Sequence, residues 1–496
     1  MKRSEVPVNM TWDLGLIYKT PEEAWAAADE LTALSDKIET EYKGKLKDAK
    51  SIADCLHLCE KMAEISGRVG NYFGLAMETD YSDSEKVANS DKADSIATEA
   101  YTKTSFVDSE IIEADGAVLE EAMRIGGTVS QKLRKIIRAK AHYLSPETEK
   151  ALTALSEFMG TPYDVYNQAK LADMSFDDFT VNGKTYPLGY ALFEDEYEYE
   201  ADTDVRRAAF RNFSDKIKQY ENVTATAYNA LVRKEKTMAN LRGHKDVFDY
   251  LLFDEEVTRD LYDRQIDVIM EKLAPHMRKY AKLLQKVHKL DKMTYADLKL
   301  SVDPGFDPRV SIEEAEKYLV DGLAVMGEEY VEMIKKAFKE RWIDFANNDG
   351  KCTGGFCSSP YGVPASFILL SWQNRMADVF TLAHELGHAG HFKECNAAQG
   401  CFDTEVPTYF VESPSTINEL LLTGYLEKTN PDPRFKRWVL SCTVGKTYYH
   451  NFVTHLLEAA YQREVYKLVD EGESVQAETL SEIFKDVLKK FWGDAV

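Results

Sequence analysis

The segment Asp378-Val379-Phe380-Thr381-Leu382-Ala383-His384-Glu385-Leu386-Gly387-His388-Ala389-Gly390-His391-Phe392 contains the pattern His-Glu-x-x-His. On a helix, His384 and His388 lie one turn apart on one face, so both imidazoles can converge on a single tetrahedral cation with Glu385 beside them. A cation there lowers the pKa of a water to about 7 and polarises a scissile carbonyl. A neighbouring carboxylate that cannot itself reach the metal can then take the water's proton and pass it to the leaving amine. That is the chemistry of peptide hydrolysis. Composition alone would place only about 0.02 such pentads in a chain of this make-up. The flanking Leu382, Ala383, Leu386, Gly387 and Ala389 are apolar or small, so the helix is largely buried and two unpaired histidines on it would be costly.

A zinc hydrolase needs a third protein ligand and an open fourth position. The metzincin pattern is excluded, because the positions that should hold its glycine and third histidine carry His391 and Glu394. Downstream candidates are His391, Glu394, Glu405, Glu412 and Glu419. Glu394 is too close along the same helix to swing back easily. Phe410 to Glu419 reads as a second helix able to pack against the first, and Glu412 and Glu419 share a face two turns apart. One of them can bind the metal while the other orients a ligand histidine.

These segments resemble the oligoendopeptidase F type of the thimet oligopeptidase family of zinc metallopeptidases. The likeness is carried by Gly354-Gly355-Phe356-Cys357-Ser358, by Asp378 to His391, and by Phe410-Val411-Glu412-Ser413-Pro414-Ser415. Trp12-Asp13-Leu14 and Asp204-Val205-Arg206-Arg207 extend it along the chain. The resemblance implies one Zn2+ per chain held by His384, His388 and Glu412, with Glu385 as the catalytic base, Glu419 behind the ligands, and Gly355 and Phe356 at the substrate. It also implies a mainly α, two-lobed fold with a deep central channel and a small β element beside the active site. Such a channel admits short unstructured peptides and excludes folded proteins. A strand around Phe367 to Ser371 would bind substrate as an added β-strand. One part of the family pattern is missing: the His- and Tyr-rich segment near the C-terminus that holds the oxyanion. Tyr448-Tyr449-His450 and His455 look similar but follow the Glu412 helix too soon and read as one face of a long helix with Phe452, Leu456 and Leu457. The chain therefore reads as truncated inside its catalytic domain. A zinc- and peptide-binding fragment with impaired catalysis is the alternative to an active endopeptidase, and a metal-dependent hydrolase of esters or small amides is a third reading.

Most of the remaining sequence carries the 3.6-residue apolar period. Thr20-Pro21-Glu22-Glu23 starts a helix, with Thr20 as cap and Glu23 completing a capping box. Helical patterns continue to about residue 110, another runs across Ala117 to Ala139, and Ser145-Pro146-Glu147 opens one through Phe158. Two β-prone runs flank Asn182-Gly183, the signature of a tight hairpin. Beyond the acidic stretch Glu194 to Glu200, read as a solvated charge run, helix resumes until a break at Val302 to Pro308. Ala365 to Trp372 reads as a short apolar strand, and helix returns at about Arg375. The expected organisation is an N-terminal helical region, 1–110, a helical lobe with a small hairpin, 111–200, and the metallopeptidase domain, 201–496.

The 496 residues carry a net charge of −23, which repels phosphate backbones and anionic membrane surfaces. Nucleic acid and membrane are thus poor partners, short peptides fit, and neutral or basic ones are mildly favoured. The oligomeric state is open. Seven cysteines without paired zinc-ribbon spacing read as reduced thiols, and Cys55-Leu56-His57-Leu58-Cys59 as buried cysteines rather than a metal site. No apolar stretch marks a signal peptide or a membrane span, so a cytoplasmic location is expected.

Overall fold

Thr20 accepts the Glu23 N–H at 3.4 Å and starts α1 (Pro21–Tyr42) with proline in its first turn. The Glu23 carboxylate reaches back to the Lys19 N–H instead of that of Thr20. In this computed structural model, which describes residues 2–145, 148–149, 151–152, 155–352 and 354–496, α1 packs on α2 (Ala49–Glu78) and α3 (Ser84–Thr104). A short α4 (Phe106–Glu113) follows. The single helix expected across Ala117 to Ala139 is two, α5 (Gly116–Ile125) and α6 (Ser130–Ala139). Gly126 ends the first, and Gly127 turns the backbone to φ +57°, a conformation a β-carbon would disfavour. The helix expected from Ser145 to Phe158 includes residues 146, 147, 150, 153 and 154, outside the described residues. Ser145 Oγ does accept the Thr148 N–H.

Asn182 and Gly183, both at positive φ, join β1 (Phe179–Val181) to β2 (Lys184–Tyr186) as the sequence predicts. The buried Phe179 packs in a cluster with Phe193, Tyr197 and Phe213 on α7 (Thr203–Lys218). Further on come α8 (Glu221–Leu241) and α9 (Ala274–Val287). After the break near 302–308 lie α10 (Ile312–Gly322) and α11 (Glu328–Lys339). A three-stranded sheet, β3 (Ile343–Asp344), β4 (Phe356–Ser358) and β5 (Phe367–Leu369), leads into α12 (Met376–Ala398) and α13 (Thr408–Thr429). The chain finishes with α14 (Pro433–Cys442), a wide helical segment over Thr443–Thr454, α15 (His455–Asp470) and α16 (Ala477–Trp492).

The fold is mainly α, with a small β element next to the His-Glu-x-x-His helix, as expected. Two compact units partition it, and each is discontinuous: one takes 1–141 and 307–429, the other 142–306 and 430–496. Linear regions with limits at 110 and 200 therefore describe sequence order, whereas packing gathers distant segments. The core of the second unit collects Met277, Leu284, Tyr449, Phe491 and Trp492. Among the described residues no helix is long and apolar enough to cross a membrane.

One expectation is overturned by the sheet. Its order is β3-β5-β4, with β5 parallel to β3 and antiparallel to β4. β5 is thus the central strand, hydrogen-bonded on both sides, and cannot take an added strand. A continuous apolar run fits a strand covered on all sides, and Phe367, Ile368 and Leu369 are fully buried. The edge beside α12 belongs to β4.

Candidate active site

The motif helix α12 begins where the Asp378 carboxylate accepts the N–H groups of Gln373 and Arg375, at 2.8 and 3.0 Å. Val379, Leu382, Ala383, Leu386 and Ala389 are buried on it. At Gly387 a β-carbon would stand 2.5 Å from Ser415 Cα, so only glycine lets α13 cross this closely. That crossing carries Glu412 and Glu419 to the two histidines.

His384 Nε2 lies 3.0 Å and His388 Nε2 3.4 Å from Glu412 Oε2. Ligand atoms of these three residues all fall within 4.8 Å of one another, forming a group that could hold a metal ion. Behind them, His384 Nδ1 meets Glu419 Oε1 at 2.8 Å, the contact that fixes which ring nitrogen faces forward. Ser415 Oγ donates to Glu412 Oε2 at 2.8 Å and steadies the carboxylate. Sequence reasoning missed Ser415 as a site residue, although a hydroxyl one turn beyond Glu412 on a helix was the available signal. The side chain of Glu412 remains 56% exposed, so the cluster opens outward.

The charges are unusually arranged. Burial opposes protonation of His384, but the hydrogen bonds to Glu412 and Glu419 and the nearby Glu385 outweigh it, pushing its pKa up to about 10. Hydrogen bonds from His384 and His388 hold Glu412 well below the usual carboxylate range. Burial raises Glu385, more than the two imidazoles lower it. Glu385 is 5% exposed, and its Oε2 makes no hydrogen bond to the protein. A buried carboxylate oxygen without a protein partner costs free energy, and this one stands beside the cluster. Two imidazoles, a carboxylate and an orienting second carboxylate are the donor set of a catalytic zinc centre, and the residues present fit that ion.

The other ligand candidates lie elsewhere. Glu394 is exposed beside Lys393, Glu405 is exposed in the α12–α13 connection, and His391 packs against Phe392 and Phe410. Gly355 abuts the carboxylate: a β-carbon there would stand 3.3 Å from Glu385 Oε1 and 3.4 Å from the Leu369 carbonyl. Phe356, on β4, turns its ring to Trp12 at a centroid distance of 6.3 Å. In the second unit, Tyr449 is buried near Trp492, and His450 and His455 approach to 3.4 Å across the wide helical segment. All seven cysteines are free, with Cys55 and Cys59 buried.

This combination, a mainly helical chain with His-Glu-x-x-His on one helix and glutamates supplied by the next, defines a peptidase with a candidate metal centre. Residues 197–496 match the sequence profile of peptidase family M3, and residues 110–176 match that of Oligopeptidase F. The chain belongs to peptidase family M3. It is 28% identical to Oligopeptidase PepF of Bacillus subtilis, an alignment covering 100% of this chain and 74% of the relative. It is 25% identical to the Oligoendopeptidase F homolog of Borreliella burgdorferi, covering 100% and 83%. The fold also resembles the crystal structure of oligoendopeptidase-F from Enterococcus faecium, with TM-score 0.68, 20% identity and coverage of 96% and 80%. A Chlamydophila abortus protein gives TM-score 0.86 at 20% identity, covering 99% and 83%.

Proposed function

We propose that this chain is a zinc-dependent endopeptidase of short, unstructured oligopeptides, with one zinc ion held by His384, His388 and Glu412. The observation that carries the reading is the buried, unpartnered Oε2 of Glu385 next to a cluster of three convergent ligand atoms. The ion, when bound, supplies the acidity that makes a water nucleophilic near neutral pH and polarises the peptide carbonyl. Glu385 takes the water's proton, its raised affinity for protons suiting it to that step, and delivers the proton to the leaving amine. Glu419 orients the His384 ring. Gly355 leaves room beside the Glu385 carboxylate for substrate, and the edge of β4 offers main-chain groups to an extended peptide at Phe356. Free cysteines throughout suit work in a reducing cytoplasm.

The test compares wild type with Glu385→Gln and His384→Ala on a quenched peptide of about ten residues at stoichiometric zinc. Glu385→Gln should keep zinc and lose turnover by several orders of magnitude, whereas His384→Ala should lose stable zinc binding. If wild type binds zinc and peptide yet turns over no faster than Glu385→Gln, the chain is a zinc- and peptide-binding protein and the endopeptidase reading fails.

A further inference from the structure

Close approach at Gly387 brings α12 and α13 together but does not say how far along each other they sit. The contact at Gly387 fixes how near the two helices come, and as a nonpolar contact it supplies no directional bond along their axes. Register needs directional bonds. In the same compact unit, Asn418 on α13 donates from Nδ2 to the Ala383 carbonyl of α12 at 2.9 Å and to Tyr330 Oη at 2.8 Å. Tyr330, on α11, donates its hydroxyl to the Leu386 carbonyl at 3.0 Å. The two carbonyls bracket His384 and Glu385. A β-carbon at position 390 would come within 2.3 Å of the Tyr330 ring, so Gly390 forms the notch that seats it. Asn418 is 1% exposed and immediately precedes Glu419.

We propose that Tyr330 and Asn418 form a three-helix clamp that sets the axial register of α13 against α12 and so positions Glu412 and Glu419 for metal binding. They are positioning residues: neither touches a ligand atom. The inference rests on the zinc reading above and adds residues that no motif in the chain marks. An apolar pair of similar shape would serve stability nearly as well as a satisfied buried polar pair, so the distinctive effect of this clamp is directional.

The experiment uses the full chain and three readouts: zinc affinity by chelator competition, the visible absorption of the Co2+-loaded protein, which reports ligand geometry, and thermal unfolding without metal. Tyr330→Phe removes one oxygen and leaves the ring in its notch. It should weaken zinc binding several-fold and alter the cobalt spectrum, less than the ~10–100-fold expected for a group bonded directly to a ligand, because Tyr330 acts through the helix backbone. Asn418→Ser should act in the same direction, and the double variant should lose no more than the worse single one, because the bonds act as a unit. Unchanged zinc affinity and cobalt spectrum with a lowered unfolding temperature would make the pair structural only and overturn the inference, while wild-type zinc binding leaves the zinc reading standing. Wild type without zinc binding would overturn both. Should Tyr330→Phe fail to fold, the same readouts on Asn418→Ser decide.

Discussion

Substituting Gly387 with alanine should damage the metal centre without touching any residue in it. The added β-carbon would stand 2.5 Å from Ser415 Cα, 2.7 Å from the Pro414 carbonyl oxygen and 2.8 Å from the Ser415 nitrogen, all backbone atoms. Ordinary contact begins at 3.4 Å, so α13 must retreat by about 0.9 Å, and no side-chain rotation can absorb the difference. The backbone atoms struck belong to residues two and three beyond Glu412, so the carboxylate moves with them. A metal site tolerates errors of about 0.2 Å in its ligand distances, so the displacement is more than four times that. Overpacking of this kind costs about 1–3 kcal/mol in stability, and we expect zinc affinity to fall by at least ~10-fold. Gly424, on α13, has nothing within 4 Å of its virtual β-carbon. Gly424→Ala should therefore keep zinc affinity and gain up to about 0.5–1 kcal/mol from helix propensity. Chelator competition and thermal unfolding on the two variants make the comparison. Wild-type zinc affinity in Gly387→Ala, or equal losses in both, would refute the argument that the close crossing sets the ligand geometry.

Glu419→Gln keeps an oxygen near His384 Nδ1 but removes the charge, and zinc affinity should drop ~10–100-fold by chelator competition. Gly355→Ala crowds the Glu385 carboxylate while leaving the ligands alone, so kcat should fall ~10-fold or more at unchanged zinc affinity, a part of the ~10²–10⁴ that a positioned base contributes. Asp297 is fully buried against Arg206 at 2.5 Å and Arg207 at 3.0 Å. Burial raises its pKa, but the bonds from Arg207, Thr294 and Arg206 outweigh that and hold it below the ordinary value. Its contribution is thus present above the unfolded pKa of about 3.9 and is lost as pH falls through the lower folded one. Asp297→Asn should cost about 3–5 kcal/mol at neutral pH in denaturant unfolding, with the gap to wild type closing below pH ~4.

Features decided within a few residues were legible from sequence. Thr20 caps its helix, Asn182-Gly183 turns its hairpin, and the spacing of His384 and His388 places both rings on one face, because each depends only on local geometry. The pairing of His384 with Glu412 and Glu419 was within reach because two helical turns separate the glutamates. What escaped depends on distant partners. An apolar run reads alike as a central or an edge strand, so β5 seemed free to bind peptide until β3 and β4 occupied its two sides. Gly126-Gly127 interrupts an apolar period that continues on either side, and periodicity alone passes over the break. Tyr330 approaches the site from a helix far upstream, with nothing in its neighbours to announce it.

The split of the unit that carries the His384, His388 and Glu412 cluster into 1–141 and 307–429 has a consequence for its birth on the ribosome. The intervening 165 residues of the other unit, 142–306, must be made first. At synthesis rates of ~5–20 residues per second that is a wait of roughly 8–33 s. The α1–α2–α3 packing is local and can form early. The sheet and the crossing of α12 with α13 cannot, so nascent chains that stop short of α13 should lack the His384, His388 and Glu412 cluster, which makes its assembly one of the late events in folding this unit.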